Sequence, residues 1–193
     1  QGPPGTGKSY VACAIMHALN KARAPGDKIL AVADSNVAAD NLASRLQDFG
    51  VDCMRIGEGG SFKIAARLLS RFEPEYSRWK QAYDLQDRRS QSLWHSLKRR
   101  AFLESNVCIA TCIGSGSELL DGSNEFPSNF KHVLIDECSQ AVEPSTLVPL
   151  SRGCETLVLV GDHKQLPATV LSKEAAREGL NLSLFERIVN SGM

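Results

Sequence analysis

The chain has 193 residues, 42% of them hydrophobic, with 22 Lys+Arg against 22 Asp+Glu. That length suits one domain, and that hydrophobic share provides a core and excludes a disordered tail. Zero net charge excludes a basic coat over the whole surface, and no uncharged apolar run approaches the roughly 18 residues of a membrane span.

In chain order, the segments alternate between short apolar runs and helical patterns. The expected helices are Lys8–Arg23, Asn36–Phe49, Phe62–Phe72, Tyr76–Phe102 and Leu182–Val189. The expected strands are Ile29–Ala33, Val51–Ile56, Val107–Thr111, Val133–Asp136 and Leu157–Val160. The strands are rich in Val, Ile, Leu and Ala without polar alternation, as strands of a parallel sheet covered on both faces are. The order strand, helix, strand predicts an α/β fold with a doubly wound, mostly parallel sheet. One domain over 1–193 is expected, trimmed at its N-terminus, without a secretory signal.

Residues 58–106 interrupt that alternation and read as a basic helical insertion. From Ser61 to Arg100 there are ten Lys/Arg and four Asp/Glu, a local charge of +6 that leaves −6 for the rest. Pro74 is expected to break the segment into two or more helices. Tyr76, Trp79 and Tyr83 share a helical face. They read as rings packed on one another in preference to a stacking platform for bases, while the charge surplus is the better sign of a nucleic-acid groove.

Six cysteines are present (13, 53, 108, 112, 138 and 154), none in a C-x-x-C pair, and the four histidines do not cluster with them. In a chain of this length they read as reduced, buried thiols of a cytosolic or nuclear protein, and zinc is not expected.

Gly2-Pro3-Pro4-Gly5-Thr6-Gly7-Lys8-Ser9 matches G-x-x-x-x-G-K-[ST] in full. The glycines let backbone N–H groups turn toward a phosphate, and the following helix directs its N-terminal dipole at the same anion. Lys8 is a mobile cation for β- and γ-phosphates, and the Ser9 hydroxyl is a Mg²⁺ ligand. Far along the chain, an apolar run ends in Asp136-Glu137. A strand end of this kind faces the ligand crevice of such a sheet. Asp136 is then expected in the Mg²⁺ shell, and Glu137 is expected to orient and polarise the attacking water. Together the two motifs form two halves of one phosphoryl-transfer site for ATP and Mg²⁺.

With these, Ala33-Asp34-Ser35-Asn36-Val37-Ala38-Ala39-Asp40-Asn41-Leu42, Asp136-Glu137-Cys138-Ser139-Gln140-Ala141 and Gly161-Asp162-His163-Lys164-Gln165-Leu166-Pro167 follow in that order. The set resembles motifs I, Ia, II and III of superfamily 1 helicases, nearest to the Upf1-like branch of the regulator-of-nonsense-transcripts type. Ala175–Gly179 and Ser183-Leu184-Phe185-Glu186-Arg187 add to the likeness. The resemblance implies a RecA-like P-loop domain, the first of two that close on ATP. The full protein would be an ATP-dependent 5′-to-3′ translocase on single-stranded RNA or DNA, with a second RecA-like domain as partner and no membrane. The isolated domain would be inactive. It further implies that Gln140, Gly161 and Asp162 belong to the nucleotide site and that Gln165 and Gln140 link nucleotide state to domain closure. Ser35, Asn36, Thr111 and Gly114 would touch the nucleic-acid backbone. Asp34 stands where the family usually has proline, beside those contacts, and its charge is unfavourable to phosphates. Ala168 likewise stands where proline is frequent. A P-loop ATPase of another kind, such as an AAA+ machine or a nucleotide switch, and a non-catalytic nucleic-acid-binding scaffold are the competing readings. The Gly161–Gln165 sequence after the last strand and the intact Lys8, Asp136 and Glu137 speak for the helicase.

Overall fold

Strands without polar alternation have no solvent face, and the computed structural model buries the three central strands on both faces and the last one in part. It describes residues 2–3, 5–57, 72–117, 120 and 129–192. β1 (Ile29–Ala33), β2 (Cys53–Arg55), β3 (Val107–Thr111), β4 (His132–Asp136) and β5 (Thr156–Leu159) form one parallel sheet in the order β2-β3-β1-β4-β5. The α/β, doubly wound expectation holds. The strands fall where the apolar runs lie, with β2 shorter than Val51–Ile56, β4 one residue longer at its start and β5 displaced by one residue.

Alternate residues of each strand feed two cores. Ile29, Ala31, Ala33, Ile109 and Leu134 face α1 (Lys8–Ala22) and α2 (Asn36–Asp48), which bury Ala12, Cys13 and Met16 and Ala39, Leu42, Ala43 and Leu46. These positions recur at three and four residues, the period of a one-sided helix. Leu30, Val32, Cys108, Ala110, Val133 and Ile135 feed the opposite core with Phe72, Leu97, Ala101, Phe102 and Phe130. A fully buried phenylalanine here is worth about 3–5 kcal/mol against alanine.

The basic segment contributes directly to that second core. Its expected helix Phe62–Phe72 lies outside the described residues except for Phe72, which is buried. The expected helix Tyr76–Phe102 is instead two, α3 (Glu73–Asp84) and α4 (Ser90–Glu104). Pro74 stands in the first turn of α3, where a missing N–H costs nothing, and marks the start of that helix. The break lies at Gln86, which takes a left-handed φ of 52°, and Asp87 donates its N–H back to Ala82 O at 2.8 Å. The Asp87 carboxylate then accepts from the Arg89 N–H at 2.8 Å, a local bond that competes with helix continuation. Trp79 packs against Tyr76, Tyr83 and Trp94, with centroids 5.3, 5.5 and 4.5 Å away, so these rings cover one another.

Lys28, directly before β1, locks α4 in place. Its buried ammonium donates to Phe102 O at 2.7 Å, to Leu103 O at 3.3 Å and to Ser105 O, which occupies all three donors on carbonyls of the last turn. Burial pushes this ammonium's pKa down.

Two helices escaped the sequence reading. α5 (Glu143–Leu150) contains Pro144 and Pro149, and α6 (Lys173–Arg177) is short. α7 spans Leu184–Asn190, capped by the Ser183 hydroxyl accepting from Glu186 N–H at 3.1 Å. Among the described residues no helix is long and apolar enough to cross a membrane.

All six cysteines are free thiols. Burial pushes Cys108, Cys112 and Cys138 up to about 12, and Cys13 and Cys53 are fully shielded. Cys154 alone is half-exposed. A thiol-specific chromogenic reagent at neutral pH is expected to react rapidly with one thiol in the native protein and with all six after denaturation. Rapid native reaction of three or more thiols would contradict this packing.

Candidate functional site

The loop before α1 is shaped by its own short bonds. Gly5 and Gly7 have φ of 76° and 81°, a region that favours glycine, and open space surrounds the position a Cβ would take at each. Thr6 closes the turn by donating its hydroxyl to Pro3 O at 2.7 Å. The Lys8 ammonium donates to Pro3 O at 2.9 Å and to Gly2 O, so it lies across the loop that it follows. No acid occupies the first turn of α1, and its N–H groups present an unopposed positive end. Pro4 lies outside the described residues. A cavity of about 480 Å³ opens here, lined by Gly5, Gly7, Lys8, Ser9, Tyr10, Cys13, Arg45 and Phe49. Its volume lies within the usual range for a small-molecule site.

Asp136 ends β4 after three buried apolar residues and is itself only 6% exposed. Burial pushes its carboxyl above the usual aspartate range. The Glu137 N–H, donating to Asp136 Oδ1 at 3.0 Å, opposes that, and so do the charges of Arg45 and Lys8. The field of Lys8 therefore acts on Asp136, although 128 positions separate them in the chain. Glu137 is exposed and takes a left-handed φ of 52°, rare for a residue with a long side chain. This turns the chain into a 3₁₀ turn over Cys138–Gln140, in which Gln140 is exposed.

That turn is fastened to the end of β5. Cys138 N–H donates to Val160 O at 3.0 Å, and Asp162 N–H donates to Ser139 Oγ at 3.3 Å. Only a glycine fits at 161, because a Cβ there would stand 2.9 Å from Cys138 Sγ and 3.1 Å from Ser139 N. Asp162 is buried and accepts from Lys164 N–H at 3.1 Å and from the Gln165 amide at 3.0 Å. Gln165 is exposed, with its amide nitrogen held by Asp162 and its oxygen left to accept elsewhere.

The remaining predicted residues lie along the same edge. Ala33, the last residue of β1, stands opposite both Thr111 and Asp136 in register. The segments that follow these three strands thus emerge side by side. Ser35 caps α2, its hydroxyl accepting from Ala38 N–H at 3.1 Å, and Asn36 opens the helix. Thr111 Oγ1 accepts from Gly114 N–H at 2.9 Å. A Cβ on Gly114 would stand 2.7 Å from that oxygen. The Asp34 carboxyl lies against the Ser145 hydroxyl. Partial burial raises its pKa, although much of the residue faces solvent. Ala168 is buried.

The sequence reading missed Arg45 and Arg55. Arg45 lines the cavity from α2 and acts on Asp136. Arg55 binds Asp40 and Asn36 at 2.9 and 2.7 Å. A lone arginine at the end of an otherwise apolar strand was the available signal for Arg55. Nothing in the spacing pointed to Arg45.

The glycine loop and the buried Asp136, far apart in the chain but within each other's field, can be set beside known proteins. Residues 1–72 and 71–173 match the family described as AAA domain. The chain belongs to the AAA domain family. Relatives of this AAA domain include the "Regulator of nonsense transcripts 1" of Dictyostelium discoideum, 36% identical over all of this chain and 16% of the relative. The "ATP-dependent helicase NAM7" of Saccharomyces cerevisiae is 33% identical over all of this chain and 21% of its own length. The "ATP-dependent helicase upf1" of Schizosaccharomyces pombe is 32% identical, with coverage of 100% and 22%. The likeness seen in the four motifs is thus a likeness over the whole AAA domain. The domain spans about a fifth of the length of these relatives.

The donor set suits a magnesium nucleotide. Among the described residues no group of three His, Cys, Asp or Glu is arranged to hold a metal by itself. One hydroxyl and one carboxylate leave the rest of an octahedral shell to phosphate and water, which is how Mg²⁺ is usually held.

Proposed function

We propose that this AAA domain is the first motor domain of an ATP-dependent helicase or translocase that moves 5′-to-3′ on single-stranded RNA or DNA. The observation that carries the reading is the register of Ala33 with both Thr111 and Asp136. It puts the segments that follow β1, β3 and β4 next to one another, which supports a shared edge for nucleotide and polymer. The names of the relatives support the same reading.

In this reading Gly2, Pro3, Pro4, Gly5, Thr6, Gly7 and Lys8 bind the phosphates of ATP, and Ser9 and Asp136 hold Mg²⁺. The metal supplies charge neutralisation at the β- and γ-phosphates. Lys8 exchanges the Gly2 and Pro3 carbonyls for phosphate oxygens. Glu137, held out of the sheet by its left-handed backbone, orients a water and accepts its proton. Gly161 and Asp162 belong to the nucleotide site, and Gln140 and Gln165 carry the nucleotide state toward a second RecA-like domain of the full-length chain. Ser35, Asn36, Thr111 and Gly114 contact the polymer backbone. Five shielded thiols accord with a reducing compartment, cytoplasmic or nuclear.

The test is ATP hydrolysis by the full-length protein with and without single-stranded RNA or DNA. The expected result is stimulation by at least about tenfold from one or both polymers. Hydrolysis indifferent to both polymers would leave a P-loop ATPase of another kind. Failure to hydrolyse under any condition would leave a binding scaffold. RNA against DNA in the same assay identifies the polymer.

A further inference from the structure

Arg55 ends β2, and its side chain is only 3% exposed. Each nitrogen of its guanidinium has an assigned partner. Nε donates to Asp40 Oδ1 at 2.9 Å, Nη2 to Asn36 Oδ1 at 2.7 Å, and Nη1 to the Ile56 carbonyl. Asn36 and Asp40 are one turn apart on α2, so one fork holds the first turn of that helix from the neighbouring strand. Gly57, at φ 121°, leaves the room this requires, since a Cβ there would stand 3.0 Å from Arg55 Nη1.

We propose that Arg55 is a positioning residue for strand binding, fixing the Asn36 amide so that it offers only its N–H donors to the polymer. This rests on the reading of the Ser35–Asn36 edge as a nucleic-acid face. A guanidinium carries no acceptor, so the Asn36 atom that meets it is the oxygen, and the exposed remainder of the amide is NH₂. Free rotation would present the oxygen to a phosphate part of the time, which is repulsive. Ser35 follows the same logic. Its oxygen accepts from Ala38 N–H, so its proton is the outward group. The start of α2 therefore presents donors at Ser35 and Asn36 beside the positive end of the helix. Phosphodiester oxygens only accept, and the ligand chemistry selected is the sugar-phosphate backbone, independent of base sequence.

The experiment measures binding of a fluorescein-labelled oligouridylate or oligothymidylate to the full-length protein by anisotropy across a salt series. Asn36→Ala and Arg55→Met are each expected to weaken binding about fivefold, and the double variant is expected to be no weaker than Asn36→Ala within about twofold. Arg55→Met is expected to leave the slope of log affinity against log salt unchanged. A cation that itself neutralised a phosphate of a single strand would lower the slope by about 0.7 when removed. Arg55→Lys is expected not to rescue, because a point ammonium cannot span Asp40 and Asn36 together. Asn36→Asp keeps the acceptor toward Arg55 and removes the outward donors. It is expected to retain or raise the melting temperature while weakening binding more than Asn36→Ala does, and it decides the matter should Arg55→Met not fold. Additive losses in the double variant, a slope reduced by about 0.7, or unimpaired binding by Asn36→Asp overturns the proposal. If the unsubstituted protein binds neither oligonucleotide in any nucleotide state, the strand-binding reading itself fails, and this inference fails with it.

Discussion

Lys8→Ala is expected to lower ATP turnover of the full-length protein by about 10²–10³-fold, the scale found when a preorganised charge at a reacting oxyanion is removed. Lys8 is the cation that reaches over the phosphate loop, and its present partners are the loop's own carbonyls. Alanine leaves the glycine backbone intact, so the loss falls on nucleotide binding and chemistry together. Glu137→Gln separates the two. The amide keeps the size and exposure of the side chain but cannot accept a proton, so turnover is expected to fall on a similar scale while nucleotide binding persists. Steady-state hydrolysis and equilibrium binding of a fluorescent ATP analogue read the two quantities. Wild-type turnover in either variant would remove Lys8 and Glu137 from the chemistry.

Asp136→Asn is expected to abolish turnover and, in magnesium-free buffer at pH 7, to stabilise the fold. Burial holds the native carboxyl above the usual aspartate range, so the ionised form is disfavoured in the folded state. The folded protein therefore binds the proton more tightly than the unfolded chain, and wild-type stability declines as pH rises through the folded value. Asparagine removes that cost. A rise in melting temperature is expected at pH 7. Below the unfolded aspartate pKa of about 3.9 both states of the wild type are protonated, and the advantage is expected to vanish. Calorimetry at several pH values checks this. An Asp136→Asn protein less stable than wild type at pH 7 would show that the carboxylate is needed for folding more than for function.

The sheet was legible because its strands are apolar on both faces, and a parallel sheet under two helical layers leaves such runs few alternatives. The shape of the loop before α1 was legible because the positive φ of Gly5 and Gly7 and the bonds of Lys8 are all settled within eight residues. The hairpin break at Gln86 was not, since a left-handed glutamine carries no compositional mark of the kind glycine or asparagine gives. α5 was hidden by two prolines that sit in its first and last turns. Arg45 and Arg55 act across elements, and one sequence carries no sign of which helix meets which strand end. The role of Lys28 was invisible for the same reason, its partners being 74 to 77 positions away.

Three loop origins hang from neighbouring strands, with β1 hydrogen-bonded on both sides between β3 and β4. Adjacent strands lie about 4.8 Å apart, a separation set by peptide hydrogen bonds and not by side chains. The spacing at which the segments after β1, β3 and β4 leave the sheet is accordingly a constant of the architecture. If this slab takes part in a walking motor, it serves as an inextensible foot, and the stride has to arise from its tilting as one piece against another body.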